Sequence, residues 1–117
     1  MIHRLLLALL ALTVLTSSAG WAQNAFRSSG PTVSLAATGT TGRVQIQAAQ
    51  TTQHVRAYNA GTVAVFIECG DVTVVATTAA SLPVAPGTVE VLGCNTHVAG
   101  ITASGSATLY LTPGSGL

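Results

Sequence analysis

Few side chains in this sequence can do chemistry, and their spacing decides which chemistry to expect. Downstream of residue 22 the thiols are Cys69 and Cys94, the imidazoles His54 and His97, and the carboxylates Glu68, Asp71 and Glu90. A protein metal site draws three or four ligands, usually with one closely spaced pair; neither histidine has a second histidine or an acid at such spacing. General acid–base catalysis needs titratable groups that converge, and these are scattered along the chain. No Gly-x-Ser-x-Gly elbow is present, and the Gly39–Gly42 turn is followed by neither a lysine nor a helix, so it is not a phosphate cradle. The expectation is a protein without catalytic residues, metal, cofactor or small-molecule substrate. A bridge between Cys69 and Cys94 would close a loop of about 25 residues and stabilise the fold by about 3.5 kcal/mol in the chain-entropy picture. The alternative is two buried thiols that never meet, and the Cα separation decides between them.

The N-terminus bears on the cysteines. Met1-Ile2-His3-Arg4 is a short positive start, Leu5 to Leu15 is apolar apart from Thr13, and Gly20-Trp21-Ala22 offers a small-residue exit before Gln23. Together these form a secretory signal peptide over residues 1–22, cleaved between Ala22 and Gln23. Polar residues from Thr16 onward cut the run short of a membrane span, so no membrane association is expected after cleavage. An exported location, periplasmic or extracellular, is one where disulfides persist. Beyond the signal, Arg27, Arg43 and Arg56 balance Glu68, Asp71 and Glu90, and the chain contains no lysine. Nucleic-acid binding rests on several cationic contacts to phosphates, so it is excluded as the expected function. A surface with little charge resists association poorly, which points to a homo-oligomer or an assembly partner protein.

The elements that must carry these residues are strands. The sequence is rich in Thr, Val, Ala and Gly, and short β-branched runs alternate with turn signals. Strands are expected near Thr32–Ala36, Arg43–Ala48, His54–Tyr58, Thr62–Cys69, Val72–Thr77, Thr88–Leu92, His97–Thr102 and Ser106–Thr112. The expected fold is all-β: a single small antiparallel β-sandwich or barrel-like domain of about eight short strands over residues 31–113. A helical signal peptide and a flexible arm at 23–30 precede it, and a loose tail at 114–117 follows.

Turn chemistry suggests three hairpins. Asn59-Ala60-Gly61, with Gly61 left-handed, pairs Tyr58 with Thr62 and Val55 with Val65. Gly70-Asp71 pairs Cys69 with Val72, and Ser104-Gly105 pairs Ile101 with Thr108. Alternation of side chains then puts Val55, Ala57, Val63, Val65, Ile67, Val72, Val74 and Ala76 with Cys69 on the core face. His54, Arg56, Tyr58, Phe66, Glu68 and Val75 fall on the other, an aromatic and aliphatic surface with a few charges, suited to an interface. Either N-terminal strands or another subunit covers it.

Three stretches carry a resemblance: Thr41 to Ile46, Val55 to Phe66 (VRAYNAGTVAVF) and Val98 to Tyr110. They resemble small β-rich proteins of tailed bacteriophages and prophages, most specifically in the central stretch and the Gly70-Asp71 that follows. The resemblance covers roughly Thr32 to Gly114. It implies a virion structural or capsid-decoration role, assembly with other subunits, and no catalytic residue. The signal peptide and the cysteine pair set this chain apart from that family and fit an exported descendant of it. The expected function is thus a non-enzymatic structural or interaction module that self-associates through a β-sheet face. A secreted carbohydrate- or cell-surface-binding module is the alternative, and an exposed aromatic platform would mark it.

Overall fold

Strict alternation of apolar and polar residues along the longest strand shows how the core is made. Over Ala107–Ser115 the side chains of Ala107, Leu109, Leu111 and Pro113 are buried, while Thr108 and Tyr110 face solvent. This is the signature of an antiparallel sheet with one face on a core. The computed structural model describes residues 25–48 and 53–116; the expected signal peptide and Ala22–Gln23 cleavage site lie outside the described residues.

The strands are β1 (Arg27–Ser28), β2 (Val33–Ala37), β3 (Gly42–Gln45), β4 (Gln53–Asn59), β5 (Val65–Gly70), β6 (Leu82–Val84), β7 (Val89–Cys94), β8 (His97–Ile101) and β9 (Ala107–Ser115). A five-stranded sheet runs β1-β9-β4-β7, with β2 pairing β9 beside β1, and a four-stranded sheet runs β3-β8-β5-β6. Every pairing is antiparallel. The pairs β5·β6, β4·β7, β3·β8 and β2·β9 describe one long two-stranded ribbon that doubles back after β5. Pairings β9·β4 and β8·β5 roll that ribbon into two facing sheets. This is the connectivity of a jelly roll, in which nearly every link between consecutive strands crosses from one sheet to the other.

The three expected hairpins are therefore absent. β4 has both edges filled by β7 and β9, so it cannot also pair β5, and Asn59–Ala64 carries the chain between sheets. The Thr102–Ser106 link does the same between β8 and β9. Gly61 is not left-handed; its role is close approach, since a Cβ there would strike Ala107. Val72–Thr77 is not a strand, because β5 already lies between β8 and β6. Two short strands replace expected irregular segments: β1 forms within the arm, and β6, with Pro83 on an edge where its missing N–H is tolerated, forms within the Pro-rich connection. The chain's last residues are not loose as far as Ser115, because Arg27 and Ser28 pair with Ser115 and Gly114.

The expected inward set survives this change of partners. Val55 and Ala57 face Val65 and Ile67 across the sandwich, with Leu35, Val84, Val98, Leu109 and Leu111 completing the core. Each such aliphatic side chain is worth about 1.5–3 kcal/mol relative to exposure. The part of that set after β5 departs from it: Val72 is 62% exposed, and Val74 and Ala76 belong to the segment laid outside the four-stranded sheet and not to this core cluster.

Asn59 ends β4 fully buried and fully bonded. Its Nδ2 donates to the carbonyls of Val63 (2.8 Å) and Val84 (2.9 Å), and its Oδ1 accepts from Gly61 N (2.9 Å). Its backbone N donates to Thr88 O and its carbonyl accepts from Gly87 N. The side chain thus ties the β4–β5 crossover to the end of β6, and the backbone of the same residue ties β4 to the β6–β7 turn. Removing the side chain leaves buried groups without partners, each costing about 1–3 kcal/mol. Asn59→Ala is therefore expected to lose on the order of 3 kcal/mol, seen as a fall of roughly 10–20 °C in Tm by circular dichroism.

Candidate functional site

The expected interface residues are all on the outside of the sandwich, but not on one face. His54, Arg56 and Tyr58 lie on the outer face of the five-stranded sheet, His54 half-buried and the other two exposed. Phe66, half-buried, and Glu68, exposed, lie on the outer face of the four-stranded sheet. Val75 belongs to the segment after β5 and is 52% exposed. The single mixed face expected from a β4–β5 hairpin is thus split in two, because those strands belong to opposite sheets.

The segment after β5 is firmly held. Asp71 Oδ1 accepts from Thr73 Oγ1 (2.6 Å) and Thr73 N (2.8 Å), and Val74 N donates to Asp71 O (3.1 Å). Arg43 Nη1, on β3, donates to Val74 O (3.1 Å), and Thr41 Oγ1 accepts from Ala76 N (3.0 Å). These bonds lay the segment against β3. Ala99, whose neighbours across the sheet are Arg43 and Glu68, is fully buried although its side chain points away from the core. The hydrogen bonds from Thr73, first its hydroxyl and then its amide, hold the Asp71 carboxyl below the ordinary aspartate range.

On the five-stranded sheet, Tyr58 stands directly across from Tyr110 of β9, the rings nearly parallel at 18° with centroids 6.4 Å apart. Val89 and Ser34 extend this cross-strand row on either side, and Arg56, Thr112 and Val91 form the next row. Tyr110 was not among the expected interface residues. Its outward parity on β9 is readable from the alternation, but its register against Tyr58 depends on a pairing between distant strands.

Cys69 of β5 and Cys94 of β7 form a disulfide with Cα atoms 5.1 Å apart. It joins the two sheets next to the Asn95–Thr96 crossover, and Cys94 is buried. This settles the two readings of the cysteines in favour of the bridge, and a buried disulfide is compatible with an oxidising, exported location. His54 and His97 lie on different sheets. His97 Nδ1 is 2.8 Å from Thr96 Oγ1. Among the described residues no group of three His, Cys, Asp or Glu is placed to hold a metal ion.

Two outcomes follow from this geometry. Replacing both cysteines by serine is expected to cost about 3 kcal/mol, and roughly 10 °C or more in Tm, by releasing a loop of 25 residues in the unfolded chain. Because the folded Asp71 value is depressed, its contribution to stability is present above the ordinary aspartate value and is lost as pH falls through the lowered one. An NMR titration should place the Asp71 midpoint below the ordinary range, and Thr73→Val should move it upward. No family model matches the chain, and neither a curated protein nor a solved structure matches it.

Proposed function

We propose that this chain is an exported, non-enzymatic structural module that self-associates, in a role like that of the phage virion structural and decoration proteins its sequence resembles. The observation that carries the reading is on the side of the four-stranded sheet. Val72 and Val75 are 62% and 52% exposed there, above a sheet whose outer face also holds Phe66, on a domain with little charge and none in net. Large apolar residues left in water favour contact with another protein surface. Their segment is fixed by Asp71, Thr73, Arg43 and Thr41, so a partner meets it already ordered and ordering it costs little on association. A second copy is the partner this reading names. Export is supported by the signal segment and by the bridge between the sheets.

Light scattering behind a sizing column tests the assembly. The expected result is a mass that rises with concentration above the monomer, with Val75→Glu and Val72→Glu weakening association by about tenfold or more. A clean monomer at every concentration, unaffected by either substitution, counts against it. Intact mass from the native host, purified without reductant, tests export: loss of residues 1–22 and of two protons at Cys69 and Cys94 is expected. A full-length chain with free thiols would remove that part of the reading.

A further inference from the structure

The outer face of the five-stranded sheet carries a different chemistry. Tyr58 and Tyr110 are the only tyrosines of the chain, and they are 37% and 43% exposed side by side at the centre of this face. Beyond this pair, toward the end of the sheet, the side chains shrink. Ala36, Ala60 and Thr108 floor a hollow of ≈ 270 Å³, walled by Thr62 from the β4–β5 crossover and Ser106 from the β8–β9 link. The hollow exists because the two crossovers meet closely at Gly61, where a Cβ would strike Ala107.

What lines this surface selects the ligand. No charged side chain lines the hollow. The hydroxyls of Thr62, Ser106 and Thr108 make no hydrogen bond among the described residues, so they are open to a ligand as donors and acceptors alike. Glu90, exposed on edge strand β7, pairs with inward-facing Ala57 and so alternates away from the ring face, and Glu68 and Asp71 belong to the other side of the sandwich; among the described residues no carboxylate side chain shares the rings' face to hold a cation there. Arg56, one row away, is a lone cation rather than the cluster an anionic polymer needs.

We propose that this surface binds a neutral saccharide, with one sugar ring in the hollow and its neighbours along the tyrosine pair. The apolar C–H face of a sugar ring lies on an aromatic ring as another apolar group does, and its hydroxyls match the Thr and Ser hydroxyls and crossover backbone. The volume lies below the range of pockets for drug-sized ligands and suits one ring. The hollow itself offers no charged side chain to pair with a sugar carboxylate, so a neutral ring enters it without leaving a charge unpaired. This site goes beyond the self-association reading and uses a different surface, so each can fail without the other.

The test is calorimetric titration of the protein with neutral hexasaccharides of glucose, mannose and N-acetylglucosamine, and with a uronic-acid oligosaccharide of the same length. NMR of the two tyrosine rings reports contact directly. At least one neutral sugar is expected to bind saturably and shift both rings, with Tyr110→Ala weakening it about tenfold or more and Thr108→Val severalfold. Thermal melts establish that the variants fold, and Thr108→Val, which keeps strand shape and removes one hydroxyl, decides if Tyr110→Ala does not. The proposal fails if no neutral sugar binds, if the uronic-acid oligosaccharide binds as well as they do, or if neither folded variant changes affinity. It fails too if Tyr110→Ala instead lowers the mass seen by light scattering, which would assign the face to a second copy.

Discussion

Water cannot reach the side chain of Asn59, and its amide nitrogen and oxygen are both bonded to backbone, that of the β4–β5 crossover and of the end of β6. A buried amide is tolerated only when satisfied in this way, and its demand fixes geometry that hydrophobic packing alone leaves loose. It sets where β4 ends, how steeply the chain crosses to β5, and where β6 gives way to β7. Through Gly61 and its contact with Ala107 it also fixes how closely the two crossovers at that end of the sandwich approach. The apolar core provides the driving force, and this amide selects one arrangement of it.

The two outer faces follow from that arrangement. Strands β4 and β5 are consecutive but turn their polar sides in opposite directions, so one run of outward residues is dealt to two surfaces. The face with β4 and β9 gathers aromatic rings and hydroxyls. The face with β5 and β8 is partly roofed by the Asp71–Ala76 segment, which hides Ala99 and leaves valines on top. The disulfide between Cys69 and Cys94 runs between the sheets and locks their separation without occupying either surface.

Much of this was legible in the residues, and the rest was not for an identifiable reason. The all-β class, most strand positions and the inward parity of Val55, Ala57, Val65 and Ile67 follow from alternation, a local property. Partners do not, because a strand with a given inward face looks the same whether its neighbour is next in sequence or far away. Asn59-Ala60-Gly61 and Ser104-Gly105 therefore read as hairpin loops although they are crossovers. Val72–Thr77 reads as a strand from its β-branched residues although no sheet edge is open to it. The bridge could be argued from context, but the Cα separation that establishes it is tertiary. His54, Arg56 and Tyr58 face outward on β4, as alternation requires. Their neighbour Tyr110 was found only through the register of two strands that the sequence separates by half its length.

The last strand, β9, is an interior member of the larger sheet, paired with β4 on one side and with β2 and β1 on the other. Such an order of pairing runs against the order in which a chain is made. The early strands β1 and β2 have no sheet to join until β9 arrives, and β4 lacks one of its two neighbours. Because non-local pairings are slow to form, closing the larger sheet waits on β9, which alone joins β1 and β2 to β4.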